Sequence, residues 1–161
     1  MGQIQARAAL FASLPAGARI VAAGDIAPGT PVPEDAEVLG PVPFETVLQL
    51  FGQSKIVLNM TPKFRTGATE RVRFALAHGA VIASNPSTLL VDFFTSDEMI
   101  GLESGQPVAW TDRLRRALDD PDRLEQMSGR AIERHAAAHT WRHRFEGLLP
   151  SLTEADGKAG G

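Results

Sequence analysis

Residues 55–84 read KIVLNMTPKFRTGATERVRFALAHGAVIAS. Ile56, Val57 and Leu58 make an unbroken apolar run, and Ala80, Val81, Ile82 and Ala83 make another. Such runs, short and without polar alternation, suit strands covered on both faces, the condition of a parallel sheet. Between them, residues 69–78 put Val72, Ala75 and Leu76 on one side of a helix, and Gly79 supplies the left-handed residue that ends it. Strand, helix, strand with short links is a βαβ unit, and the stretch predicts parallel strands over 55–60 and 80–84.

The same pattern continues on both sides. Phe44, Val47, Leu48 and Phe51 fall at i, i+3, i+4 and i+7, which predicts a helix over 44–53. Before it come a brief strand at 37–39, a proline-rich loop at 26–37, a buried strand at 19–23, and a helix at 4–14 stopped by Pro15 and Gly17. After it, 89–94 reads as a short helix and 99–102 as a weak strand. Thr111 is expected to cap a helix through Leu118, and Asp120-Pro121 opens another, with Leu124, Met127, Ala131, Ile132 and His135 as its apolar stripe. Thr140 is expected to cap a last helix that packs Trp141, Phe145 and Leu148 on the sheet, closed by Pro150. The tail, residues 151–161, has no periodicity and is expected to be disordered. The fold predicted is a Rossmann-like α/β domain, a parallel sheet with helices on both faces and a helical C-terminus. It divides into a lead-in helix at 1–18, a ligand-binding domain at 19–150 and the tail.

Composition removes several function classes. With 43% hydrophobic and 22% charged residues, the 161-residue chain is an ordinary globular domain. The absence of cysteine excludes disulfides, thiolate metal sites and a cysteine nucleophile. A net charge of -3 gives no field to hold nucleic acid or an anionic membrane. No apolar run approaches the roughly 20 residues of a membrane span, and the first residues lack the apolar core of a signal peptide, so a cytoplasmic location is expected.

In an open parallel sheet, ligands bind beyond the carboxyl ends of the strands. Three such ends are legible: Gly24-Asp25, Asn59 to Ala68, and Ser84-Asn85. The middle one is the richest. Lys63, Arg65 and Gly67 stand ahead of a helix whose first turn, Thr69-Glu70-Arg71, exposes backbone N–H groups, which is equipment for an anion. Glu70 could equally satisfy the helix dipole with no ligand present. Neither a Walker A motif nor G-x-G-x-x-G occurs, and there is no nucleophile elbow. His135, His139 and His143 are spaced by four, but Thr140-Trp141 starts a new element between them and no carboxylate accompanies them, so no metal site is expected. A response-regulator-like domain would need an acidic cluster at the end of the first strand, and Asp25 alone fits.

Three blocks in colinear order resemble the C-terminal domain of GT-B glycosyltransferases, specifically the CgeB-like group of family 4-type enzymes. They are VLGPVPFETVLQLFGQSKIVLNMTP (38–62), GATERVRFALAHGAVIASN (67–85) and LDDPDRLEQMSGRAIERHAAAHTWRHRFEGLL (118–149). The resemblance implies that the chain binds a nucleotide-diphospho-sugar donor, with no metal required. Its diphosphate would lie against Gly67, Ala68, Thr69, Glu70 and Arg71, with Lys63 and Arg65 nearby and Asn59, Ser84 and Asn85 at the strand ends. The family's Phe-Glu-Ala-Leu-Ala-Cys-Gly run reads Arg73 to Gly79 here, so Phe74 stands where the ribose-binding glutamate would be. A GT-B enzyme also needs an N-terminal Rossmann-like domain, for which these residues leave no room. The resemblance therefore implies either a donor-binding half completed by a second domain or chain, or a non-catalytic binding or assembly module of the same descent.

Overall fold

The computed structural model describes residues 3–61, 65–103, 106–138, 140–143, 145–146 and 148–149. In chain order its elements are α1 (Gln3–Ala12), β1 (Val21–Ala23), β2 (Glu37–Gly40), α2 (Phe44–Gln53), β3 (Ile56–Asn59) and α3 (Glu70–Ala77). Then follow β4 (Val81–Ser84), α4 (Thr88–Phe93), β5 (Met99–Gly101), α5 (Pro107–Asp119) and α6 (Pro121–Ala138). Every strand pairing is parallel. The strands divide into two sheets, β1-β2 and β3-β4-β5, a division that local sequence pattern cannot show because it depends on pairing between distant residues.

The three-stranded sheet carries the core. Ile56 and Leu58 of β3, with Val81 and Ala83 of β4, face a layer made by Leu10 of α1, Trp110 and Leu114 of α5, and Leu124 and Met127 of α6. The opposite set, Val57, Ile82 and Met99, faces Val72, Ala75 and Leu76 of α3 and Leu90 of α4. One-residue alternation along each strand thus feeds two cores, which is why these strands read as continuous apolar runs. All four residues of β4, the central strand, are buried. Gly79 has φ +84, in the left-handed region that favours glycine, and turns the chain from α3 into β4.

Three expectations need correction. The strand expected to be buried at 19–23 is β1, and none of its residues is buried. Thr111 does not cap a helix: α5 begins at Pro107 behind Gln106, with proline in the first turn, where its missing N–H costs nothing. Trp141, Phe145 and Leu148 lie in helical backbone as expected but do not pack on the sheet. They are 55%, 61% and 55% exposed, with Leu149 beside them at 55%. The expectations for Pro150 and the tail lie outside the described residues.

One long-range tie was not legible in the sequence. Buried Glu98 accepts from the N–H and hydroxyl of Thr95 at 2.9 and 3.2 Å, and from Nε of Arg134 on α6 at 2.6 Å. Burial alone pushes its pKa up, but these donors and the charge of Arg134 outweigh it and hold the carboxyl below the usual range. The folded state therefore binds this proton less readily than the unfolded chain does. The stability so gained is complete above the unfolded glutamate value of about 4.3 and is lost as pH falls through the lower folded value. Glu98→Gln should cost roughly 1–3 kcal/mol at pH 7 and progressively less toward pH 3 in urea melts; a difference independent of pH would contradict the pairing.

Candidate functional site

The carboxyl ends of β3 and β4 carry a closed set of polar contacts. Asn59, the last residue of β3, is fully buried; its side-chain amide donates to Ser84 Oγ at 3.0 Å, and its Oδ1 accepts from Thr69 Oγ1 at 2.9 Å. Ser84, the last residue of β4, is also fully buried and places Oγ 2.8 Å from the carbonyl of Asn59 and 3.0 Å from that of Asn85. Asn85 in turn accepts from the N–H of Thr61 at 2.6 Å and donates to its carbonyl at 3.3 Å. Buried polar side chains persist only when partnered, and here each satisfies another across the strand ends.

Thr69 links this set to α3. It is the N-cap residue of α3, with extended backbone, yet its hydroxyl makes no bond to the first-turn N–H groups, because it is committed to Asn59. The ordinary capping interaction is thus withheld at the positive end of the α3 dipole, while the cap residue itself is fixed to the sheet. Glu70 stands in the first turn, exposed, as does Arg71. Gly67 and Ala68 are half-buried in the loop that leads into Thr69. Arg65 is exposed, and its carbonyl accepts from the N–H of Thr88 at 2.9 Å, which ties the loop to the start of α4.

Of the ten residues singled out from sequence, Asn59, Thr69, Ser84 and Asn85 are joined directly by this network. Gly67, Ala68, Glu70 and Arg71 flank Thr69 in the loop and first turn, Arg65 is tied to α4, and Lys63 lies outside the described residues. Phe74, four residues into α3, meets Phe44 of α2 edge-on, with ring centroids 5.1 Å apart at 72°. It packs α3 against α2, as an aromatic pair does. Of the histidines spaced by four, the burial of half-buried His135 holds its pKa below the usual range, Thr140 Oγ1 lies 2.7 Å from His143 Nδ1, and His139 is outside the described residues.

A groove lined by Asp97, Asp120, Asp122, Arg123 and Arg130 opens elsewhere, beside the amino end of β5 and the start of α6. It lies at the wrong end of the sheet for a ligand of an open α/β fold; across it Arg130 pairs with Asp97 at 3.6 Å, and Asp120 accepts from the backbone N–H of Arg123 at 3.0 Å.

Residues 6–150 match the family described as "Glycosyl transferase-like". The chain belongs to that family. It is also similar to the D-inositol 3-phosphate glycosyltransferase of Nocardia farcinica, with 31% identity over 126 residues, 77% of this chain and 27% of that enzyme. Among solved structures it resembles HepE of Anabaena, crystallised in complex with UDP-glucose, at a TM-score of 0.77 and 10% identity, over 96% of this chain and 46% of that one. A second is AviGT4, a glycosyltransferase involved in avilamycin A biosynthesis, at a TM-score of 0.54 and 20% identity, over 92% of this chain and 48% of that one. These likenesses establish the fold as that of the GT-B glycosyltransferases. The chain spans about a quarter of the length of the Nocardia enzyme and about half of each of the two structures. No helix among the described residues is long and apolar enough to cross a membrane.

Proposed function

We propose that the chain is the donor-binding half of a glycosyltransferase of the CgeB-like, family 4-type group. It would hold a nucleotide-diphospho-sugar with the diphosphate over Gly67 to Arg71. The observation that carries this reading is the commitment of the Thr69 hydroxyl to Asn59, which anchors the loop while leaving the start of α3 without a side-chain cap. A diphosphate there would be held by backbone N–H groups and by Arg71, with Lys63 and Arg65 on the same loop; Glu70 would repel it. The HepE structure, with UDP-glucose bound on a similar fold, supports the choice of ligand class. A second domain or chain would carry the acceptor, and the exposed face of Trp141, Phe145, Leu148 and Leu149 fits a surface that such a partner covers.

The test is thermal denaturation against a panel of nucleoside diphosphates and their sugars, UDP-glucose among them. A donor at a hundred times its dissociation constant should add about 2.7 kcal/mol of stability. A flat response across the panel would leave the second reading, a binding or assembly module. Phe74 favours that reading, because it packs on Phe44 where a carboxylate would otherwise hold the ribose diol.

Activity is expected to need the other half. Transfer requires donor and acceptor halves to close on one another so that the acceptor hydroxyl meets the anomeric carbon away from water. The purified chain alone should release or transfer no sugar from any donor in the panel. Sustained turnover would mean that these residues contain a whole active site.

A further inference from the structure

Resting on the donor-binding reading above, we infer that the site holds its nucleoside by stacking on the Phe44–Phe74 pair and does not read the ribose hydroxyls, so that it takes 2′-deoxyribonucleoside diphosphates as well as ribonucleoside diphosphates. Topology puts both rings on the ligand side of the sheet. Phe44 is the first residue of α2, just beyond the carboxyl end of β2, and Phe74 lies one turn into α3, which follows the carboxyl end of β3. The two helices pack side by side, and the rings meet edge-on with centroids 5.1 Å apart. Phe44 is nevertheless 52% exposed, whereas the other members of its stripe, Val47, Leu48 and Phe51, are half-buried. The apolar seam between α2 and α3 thus opens to solvent at the end where the diphosphate would lie.

The surroundings leave the nucleoside that one direction. Toward α4 the loop is closed, because the carbonyl of Arg65 accepts from the N–H of Thr88 and Leu90 is buried against α3. Beneath the loop, Asn59, Ser84 and Asn85 bond to one another and to Thr61 and Thr69. Toward α2 lies the exposed ring. The four residues from Glu70 to Phe74 rise about 6 Å along the helix, so a ribose that follows a diphosphate at Gly67 to Arg71 comes level with Phe74, and its base reaches Phe44.

An aromatic ring offers any base a face to stack on, but it has neither donor nor acceptor for a hydroxyl. The positions that share a helix face with these rings do not supply one. On α3 the neighbours of Phe74 at three and four residues are Glu70 and Arg71 beside the phosphates, Ala77, and His78, whose Nδ1 lies 2.7 Å from the Phe74 carbonyl. On α2 the corresponding neighbours of Phe44 are Val47 and Leu48. A site built to hydrogen-bond a hydroxyl rejects the analogue lacking it by about 10,000-fold or more, and it does so through buried polar groups that this seam does not present.

The experiment is calorimetric titration of ADP, GDP, CDP and UDP, each beside its 2′-deoxy counterpart, and of inorganic pyrophosphate, into wild type, Phe44→Ala and Phe44→Trp. In wild type the two members of each pair that binds should agree in Kd within about fivefold. Phe44→Ala should weaken those nucleoside diphosphates by about 5- to 150-fold and leave pyrophosphate unchanged, and Phe44→Trp should keep the wild-type affinity. A larger penalty for the 2′-deoxy ligand overturns the inference, as does a loss in Phe44→Ala smaller than about fivefold or one that pyrophosphate shares. In those cases the bound diphosphate still supports the proposed function. If neither pyrophosphate nor any nucleoside diphosphate binds wild type, the donor-binding reading falls and the stacking site falls with it.

Discussion

Trp110→Ala should destabilise the protein by about 3–5 kcal/mol, a large part of the roughly 5–15 kcal/mol that holds a domain of this size folded. Trp110 is fully buried at the centre of the layer formed by α1, α5 and α6, and its indole N–H donates to the carbonyl of Glu103 at 2.8 Å. Removing the ring opens a cavity beneath Val81, Ala83 and Leu102 and leaves a carbonyl without its donor. The expected fall in Tm is roughly 10 °C or more. Trp141→Ala, at the exposed end of the chain, should change stability by less than about 1 kcal/mol. Comparable losses from the two substitutions in parallel urea melts would mean that the core is not organised around Trp110.

The second large effect is expected at Asn59. Asn59→Leu keeps the approximate volume but removes the amide that donates to Ser84 and the oxygen that accepts from Thr69. Each buried polar group left without a partner costs about 1–3 kcal/mol, so the variant should lose roughly 2–4 kcal/mol. Thr69→Val removes the Thr69 contact alone and should lose less than half as much. The two variants should also differ in kind: both free the 65–69 loop from the sheet, while only Asn59→Leu disturbs Ser84. Equal stability of Asn59→Leu and wild type would remove the network as the anchor of the site.

The βαβ unit at 55–84 was legible because each part of it is local. Apolar runs mark β3 and β4, three apolar residues at helical spacing mark α3, and a glycine marks its end. The same locality placed Asn59, Ser84 and Asn85 at strand ends and Thr69 at the start of a helix. That Thr69 turns its hydroxyl to Asn59 rather than to its own helix was not legible, since the choice depends on how α3 sits over β3. Glu98 and Arg134 lie 36 positions apart, and nothing in the pattern around either announces the other. The start of α5 was available in Gln106-Pro107, where proline in a first turn is a known signal, but Thr111 offered a competing cap. The separation of β1-β2 from β3-β4-β5 was beyond reach for a different reason: it is set by pairing between residues far apart in the chain, which local pattern does not carry.

The central claim is that a diphosphate is read at the start of α3, and calorimetric titration of matched ligands tests it most directly. The nucleoside, its monophosphate and its diphosphate, taken from the donor that binds best, are each titrated into wild type and into Arg71→Ala. A charge-assisted hydrogen bond contributes roughly 1.5–3 kcal/mol, so Arg71→Ala should weaken the diphosphate about 10- to 150-fold and leave the nucleoside unchanged. Wild type should also bind the diphosphate more tightly than the nucleoside. Equal affinity for the two ligands, or a diphosphate affinity that Arg71→Ala does not alter, would contradict the account.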